Sequence, residues 1–418
     1  MYSSAFSSKA SQIGKGKSAK SVSGRSEIIS MSGLDVAVKP ILDLNTVLLN
    51  NILVVKGIFT EKWFLVDHEE LKEDLVIKWI PEEEDIKQWI DLPSHTNIVT
   101  AYDQFNHDKY KFQLTENWIP DSIDLYRHIE KMKLNLGIQV PRSYLELIFD
   151  WTIQLTIGLE FAHDHGTIHG NLNLSNVLMV RDDENPIFKL NNFKHGSTVE
   201  APLNMEANQW TMPKGKKKSF STNEKREILM LKDIYSLGIC LLEMMIGRIS
   251  ENQYSITIDS LPLTWAELSE STALIQVLVE WLNIDSISQR KGKLANVKKI
   301  LIKEYKKSFN KSFHKLEHIF TTDEPDILNK KAVFSNFRGN DEVAEKYWNE
   351  ALMLKKTHQD SVVNYLFHRW KSAQITDQDV IELIDKVDSI NERDSSLMLK
   401  ALFMVAVGEK ADGIAILK

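Results

Sequence analysis

The sequence contains very little cysteine, and it is low in glycine and proline. There is one cysteine among 418 residues, together with 17 glycines and 10 prolines. This single thiol, Cys240, excludes an intrachain disulfide framework and a zinc site built from cysteines. Because Cys240 lies in an apolar run, we expect a buried and unreactive side chain. The composition fits a reducing, cytoplasmic location.

Long apolar segments are also lacking. The most apolar stretch, Ile234–Gly247, is interrupted by Glu243 and is shorter than the roughly 20 residues that a membrane helix needs. Residues 1–30 contain no apolar signal-peptide core, and Tyr2 excludes N-myristoylation. The net charge of −7 argues against nucleic-acid binding by the chain as a whole. The sequence therefore predicts neither a membrane nor a nucleic acid as a partner.

The remaining composition is that of a globular protein with more than one domain. Hydrophobic residues make up 43% and charged residues 26%, and the length exceeds that of one ordinary domain. Residues 1–39 differ, because they are rich in serine and lysine and contain few large apolar side chains. We predict a basic disordered arm there.

Strand and helix patterns follow each other along the chain. Short runs of β-branched and aromatic residues, such as Trp63–Val66 and Leu75–Trp79, predict a small antiparallel sheet. From about Tyr144, apolar residues recur at three- and four-residue spacing, which is typical of helices. The predicted fold class is α+β, with a small β-rich lobe over 40–117 and a larger α-rich lobe over 118–310.

A helical segment is predicted after a charged linker at 311–331. Gly339 and Trp348 occupy the small and aromatic positions of a tetratricopeptide repeat. We therefore predict helical repeats of this type over 332–418, and we expect them to continue beyond Lys418. The aromatic side chains of this segment are expected to serve partner binding, and the alternative is that they only pack against one another or against the large lobe.

Three short motifs along the chain indicate a relationship to a known family. The segment His169–Asn176 reads HGNLNLSN, which is similar to the catalytic loop H-R-D-L-x-x-x-N of protein kinases. Downstream, Asn192-Phe193-Lys194 is similar to D-F-G, and upstream Val76-Ile77-Lys78 resembles the strand that carries the nucleotide-binding lysine. The chain thus resembles the protein kinase superfamily, which implies a bilobal fold.

The resemblance implies roles for further residues. The implied nucleotide site, in vestigial form, consists of Lys78, Thr115, Glu116 and Asn176. Asp233, in the central helix of the large lobe, is implied to accept hydrogen bonds from the backbone of the 169–176 loop. Glu224 and Arg290 are implied to form a buried ion pair.

The residues that would carry the chemistry depart from the kinase pattern. Phosphoryl transfer needs one carboxylate to accept the hydroxyl proton and another to bind Mg²⁺, and these positions are Asn171 and Asn192. An amide is uncharged, takes up no proton near neutral pH and is a poor Mg²⁺ ligand. The degenerate motif positions are His169, Gly170, Asn171, Asn173, Asn192, Phe193 and Lys194. We therefore predict that the chain is not an enzyme.

The nucleotide pocket is eroded as well. The segment that would cover the phosphates contains one glycine, Gly57, where the family has a glycine-rich loop. The nearest acidic partners for Lys78 are Glu84 and Asp85, which are too close in sequence for the usual lysine–glutamate pair. We predict no bound cofactor, neither ATP nor Mg²⁺, and no metal site.

The sequence leads to one predicted function and two alternatives. The prediction is an inactive kinase-like scaffold that binds protein partners through its lobes and helical repeats. Its domain combination resembles large kinase-like proteins of protists, which implies a cytoplasmic location in a cytoskeletal or ciliary assembly. One alternative is a divergent ATP-dependent Ser/Thr kinase that keeps Lys78 and Asn176 and takes its carboxylates from elsewhere in the chain. Asp182, Asp183 and Glu184 are near in sequence, but we expect them on a turn that points away from the phosphates. The other is a nucleotide-binding switch without turnover.

Overall fold

The structure of the protein is a computed structural model that describes most of the two lobes and of the C-terminal segment. The described residues are 42–49, 53–58, 62–68, 73–117, 122–124, 127, 142–180, 186–194, 222–246, 272–282, 293–313, 324–388 and a few positions between 400 and 415. The predicted arm at 1–39 lies outside them, as do Asp182, Asp183, Glu184 and Arg290.

The first part of the fold is a six-stranded antiparallel sheet with the order β1-β2-β3-β4-β6-β5. Its strands are β1 (Val47–Leu48), β2 (Leu53–Ile58), β3 (Trp63–His68), β4 (Glu73–Ile80), β5 (Ala101–His107) and β6 (Tyr110–Glu116). A single helical turn, α1 (Lys87–Ile90), separates β4 from β5. Burial in β3 alternates residue by residue, as expected for strands whose two faces differ in environment.

Side chains on β4 alternate between the two faces of this sheet. Leu75 and Ile77 join an apolar cluster on one face. Val76 and Lys78 lie on the opposite face. Ile80, on that same face, packs into the core of the large lobe. The lysine of the sequence motif therefore lies on the side of the sheet that meets the large lobe.

The large lobe is mainly helical and is built around buried helices. Its elements are β7 (Ser122–Asp124), α2 (Arg142–Asp164), a 3₁₀ turn (Leu174–Asn176), β8 (Val177–Val180), β9 (Ile187–Leu190), α3 (Thr222–Ile246), α4 (Thr272–Leu282) and α5 (Lys293–Phe309). Trp151 and Trp281 are fully buried in its core. The 3₁₀ turn, β8 and β9 carry or flank the motifs identified in the sequence.

Helices also form the last part of the described chain. They are α6 (Glu324–Phe337), α7 (Asp341–Leu354), α8 (Gln359–Lys371) and α9 (Asp377–Asp388). Helix α6 begins inside the segment predicted as a linker. Pro325 does not break this helix, because a proline in the first helical turn lacks only an N–H that has no helical partner. Gly339, with a φ of 73°, follows the end of α6.

Helix α6 packs against the face of the sheet that points away from the large lobe. Phe334 is fully buried there, and its ring meets His68 edge-on at 5.2 Å between centroids. Arg338 forms an ion pair with the buried Asp103 of β5. The ammonium of Lys331 donates a 3.0 Å hydrogen bond to the Leu92 carbonyl. Helix α6 therefore completes the core of the small lobe.

The aromatic residues of the C-terminal helices pack mainly on one another. Trp348 is buried and stacks on Tyr365 at 5.8 Å, while its indole N–H donates to Asn329. Phe367 and Trp370 form a second contact group with Phe403. These side chains build the interior of the segment, and its repeat character stays a prediction.

The predicted α+β class is confirmed. A β-sheet region followed by a helical part is compatible with the bilobal fold that the sequence motifs imply. Within the described residues, no helix combines the length and apolar content required to cross a bilayer.

Candidate functional site

The loop that follows α2 is fixed by a buried carboxylate. Asp233 of α3 accepts hydrogen bonds from the backbone N–H groups of His169 and Gly170, at 2.7 and 2.8 Å. His163 Nε2 lies 3.1 Å from the same carboxylate. Burial alone would raise the pKa of Asp233, but the bond to His163 and nearby positive charge outweigh it, so this pKa lies below its usual value. The role implied for Asp233 matches these contacts.

Two residues of the cleft adopt left-handed backbone conformations. Gly170 has a φ of 66° and Asn192 a φ of 62°. Glycine adopts this region without steric cost, and asparagine is among the side chains that tolerate it best. Both substitutions relative to the kinase motif are therefore compatible with the local backbone.

A chain of amide hydrogen bonds crosses the cleft. The Lys78 ammonium donates to Asn192 Oδ1, and Asn192 Nδ2 donates to Asn176 Oδ1 at 3.0 Å. Asn176 Nδ2 in turn donates to the Asn171 carbonyl at 2.7 Å. These four residues, Lys78, Asn192, Asn176 and Asn171, are called the cleft network below. It joins the sheet of the small lobe to the loops of the large lobe.

Asn173 holds the loop locally. Its Oδ1 accepts from the Ser175 N–H at 3.0 Å, which caps the 3₁₀ turn, and its Nδ2 donates to the Asn171 carbonyl at 3.1 Å. Asparagine suits such a cap because its short side chain reaches the backbone two residues on. Asn173, one of the degenerate motif positions, therefore fixes the local conformation of the loop.

Burial sets the protonation of Lys78. Desolvation lowers the pKa of Lys78 to about 8, although the carboxylate of Glu84 acts in the opposite direction. The ammonium also lies 5.2 Å from the centre of the Trp63 ring. Asp85, the other candidate acid, accepts a 2.7 Å hydrogen bond from Gln104. Of the two acids, Glu84 is the one that influences Lys78.

Phe193 lies in an aromatic stack with His169, which belongs to a sequence motif, and with Trp89, which does not. Its ring is 4.3 Å from that of His169 and 5.3 Å from that of Trp89. Trp89 belongs to the single turn α1, and its indole N–H donates to the Val99 carbonyl at 2.8 Å. Lys194 is exposed, while its backbone N–H donates to the His169 carbonyl. The sequence signal that could have identified Trp89 is a large aromatic residue in the short segment between β4 and β5.

Thr115 and Glu116 end strand β6, at the connection from the sheet to the large lobe that we call the hinge, and both form contacts within the protein. Thr115 is buried, and its hydroxyl lies 3.3 Å from the Val76 carbonyl. The Glu116 N–H donates to the Thr100 carbonyl at 3.0 Å, and its carboxylate accepts from Lys189 of the large lobe at 2.7 Å. Because this N–H is already bonded, it is not available to an adenine ring. No pattern in the sequence indicates the ion pair to Lys189.

Two further predictions about the site concern the ion pair between Glu224 and Arg290 and the question of a metal site. Glu224 lies within helix α3, but its side chain and Arg290 are outside the described residues, so their ion pair stays a prediction. Within the part of the chain that is described, no group of three or more His, Cys, Asp or Glu residues could hold a metal ion.

Comparisons with known proteins give a similarity to a protein kinase and no match to a protein-family model. The serine/threonine-protein kinase atg1 of Dictyostelium discoideum is 25% identical to it over 170 residues. That match covers 39% of this chain and 23% of the relative, so the chain spans less than a quarter of that protein. Together with the α+β fold, this similarity supports a protein-kinase-like relationship.

Proposed function

We propose that this kinase-like chain does not transfer phosphate and that it acts by binding protein partners. The observation that carries the proposal is the cleft network, in which asparagine amides stand at the positions of both catalytic carboxylates. Asn171 has no basic group to accept a hydroxyl proton, and Asn192 uses its amide oxygen to accept from Lys78. Loss of general base catalysis alone typically costs about 10²–10⁴ in rate.

The electrostatics of the cleft support the same conclusion. A kinase cleft concentrates negative charge that binds Mg²⁺ and, through it, the nucleotide phosphates. In the cleft network the charged group is the Lys78 ammonium, and the other members are neutral amides. A divalent cation gains little from such ligands.

The binding role rests on the rigid frame around the cleft. The two lobes are tied by the Lys78–Asn192 hydrogen bond and by the Glu116–Lys189 ion pair, and α6 is docked on the sheet. A platform of this kind presents fixed surfaces to partners at a low entropic cost. A place in a cytoskeletal or ciliary assembly is the corresponding proposal for location, drawn from the domain combination.

The test is a phosphate-transfer assay on the full chain. Protein with MgATP, a peptide library and its own N-terminal serines is expected to incorporate no more phosphate than a Lys78→Ala control. Incorporation that depends on Lys78 would overturn the proposal. An Asn171→Asp/Asn192→Asp variant, compared with Asn191→Asp as a matched control, measures how much of the inactivity comes from the two amides.

One observation favours a second candidate, a nucleotide-binding switch. Lys78 and Asn176, which kinases use toward nucleotide and metal, are both present and are joined through Asn192. A ligand that binds the folded state raises the melting temperature once its concentration exceeds Kd. A shift of several degrees in millimolar MgATP, abolished by Lys78→Met, would favour the switch, and we expect no such shift.

A further inference from the structure

The solvent face of helix α5 carries charge of one sign. Among its described side chains, the exposed ones are four lysines and one asparagine, namely Asn296, Lys299, Lys303, Lys306 and Lys307. Its opposite face is buried in the large lobe through Leu294, Val297, Leu301, Tyr305 and Phe309. The helix is thus anchored by apolar residues and presents an almost purely basic surface.

Three of these lysines form a straight row. Lys299, Lys303 and Lys306 are spaced by four and three residues, which places them on one side of the helix over about 10 Å. We call them the lysine stripe. Within the described residues none of the three forms an ion pair, whereas Lys298, Lys307 and Lys311 pair with Glu160, Glu304 and Glu146.

No contact among the described residues indicates that the lysine stripe stabilises helix α5. Like charges at these spacings repel each other and weaken a helix. Lys306 lies in the last turn, where a cation complements the helix dipole, but Lys299 and Lys303 lie too far from that end to gain from it. Helix α7 offers a contrast, because its exposed Lys346 faces Glu350 at 3.8 Å. An uncompensated basic row is unusual in a chain whose net charge is −7.

We infer that the lysine stripe is a docking surface for an acidic, helical segment of a partner protein. Carboxylates repeated at the same four- and three-residue spacing on a partner helix would face all three ammonium groups at once. Most of the apolar residues of α5 are buried in the core of the large lobe, so they are not available for insertion into a membrane. The described exposed side chains of α5 include no aromatic residue or arginine on which nucleic-acid bases would stack. The overall negative charge further disfavours long polyanions.

This inference rests on the binding role proposed above, and it names the chemistry of one partner. The experiment measures binding of the full chain to a helical peptide with glutamates at positions i, i+4 and i+7. A peptide of equal composition with the glutamates out of register serves as the first control. Phosphate transfer is measured on the same preparations, so failure of the proposed inactivity is distinguishable from failure of the docking surface.

The decisive comparison uses two triple variants with the same change in net charge. Lys299→Gln/Lys303→Gln/Lys306→Gln is expected to weaken binding of the in-register peptide by about tenfold. The control, Lys355→Gln/Lys356→Gln/Lys371→Gln, removes exposed lysines of the C-terminal segment and is expected to leave it unchanged. Binding should also weaken with added salt, because exposed charges are screened.

A stability measurement separates a binding role from a folding role. The stripe variant is expected to melt at the same or a higher temperature at low salt, since it relieves repulsion. The inference is overturned if the stripe variant melts lower than the control, if both variants bind alike, or if the peptide does not bind. Stronger binding of a single-stranded RNA or of phosphatidylserine vesicles to the stripe would overturn it as well.

Discussion

The cleft and the interface between α6 and the sheet each contain a buried lysine, and burial lowers the pKa of both Lys78 and Lys331 to about 8. Their surroundings differ. Lys78 donates to a side-chain amide in a polar network between lobes, whereas Lys331 donates to the Leu92 carbonyl beside an apolar contact surface. We infer that the interface between α6 and the sheet contributes more to the free energy of unfolding, because burial of apolar surface dominates folding energetics. The cleft network mainly fixes the relative positions of its four side chains.

The largest effect is expected from removing the central ring of the interface. Phe334→Ala deletes a fully buried aromatic side chain, and such changes typically cost about 3–5 kcal/mol. Urea denaturation of the full chain measures the loss, with Met353→Ala, at a side chain 74% exposed, as a control expected to be near neutral. Equal stability of the two variants would mean that α6 contributes little to the small lobe.

Acid is expected to weaken the interface through His68, which lies against Phe334. Burial lowers the pKa of His68 to about 4, below its value in the unfolded chain. Between pH 6.5 and 4 the unfolded state therefore binds more protons, so stability falls as the pH falls through this window. Burial lowers the pKa of His95 to about 4 too, with the same sign.

The contribution of His68 can be isolated by substitution. His68→Phe is expected to lose less stability between about pH 7 and about pH 4.5 than the natural sequence, by on the order of 2 kcal/mol. Met353→Ala, at an exposed side chain that does not titrate, should leave the pH dependence as it was. The expectation fails if His68→Phe and the natural sequence have the same acid profile.

A smaller effect is expected from breaking the cleft network. Asn176→Ala removes the acceptor for Asn192 and the donor to the Asn171 carbonyl. Leaving such part-buried groups unpaired typically costs about 1–3 kcal/mol. Hydrogen exchange of the amides in 169–176 should report the loosening, with Ser175→Ala as the control. A variant as protected as the parent would show that the network is redundant.

The smallest effect is expected for the ion pair between the lobes. Both partners, Lys189 and Glu116, are partly solvated, and such pairs typically contribute about 1 kcal/mol or less. Lys189→Met should therefore change the denaturation midpoint only slightly, and added salt should reduce the difference further. A loss as large as that of Phe334→Ala would place the stabilising contacts in the hinge and reverse the comparison.

The parts of the fold that could be predicted are those with strong local signals. The β-branched and aromatic runs Trp63–Val66 and Leu75–Trp79 predict strands that correspond to β3 and β4, and the helical spacing from Tyr144 corresponds to α2. The linker prediction overlaps α6, because Glu324-Pro325 suits a break between elements and the start of a helix equally well.

Within the site, the sequence identifies residues but not their partners. It singles out Lys78, Asn171, Asn176 and Asn192, which the structure brings into one network. It cannot identify Lys189 as the partner of Glu116, because 73 residues separate them and no motif connects the two positions. Such pairs depend on tertiary packing, which no local pattern encodes.

The position of α6 has a consequence for how the protein is made. A ribosome adds roughly 5–20 residues per second, and Arg338 follows its partner Asp103 by 235 residues. Synthesis of the sheet strands therefore precedes that of α6 by roughly 10–50 s, and the apolar face that α6 covers has to wait for it. During that interval we expect this apolar face to be open to contacts with chaperones or with other nascent chains, and a stalled ribosome would prolong that exposure.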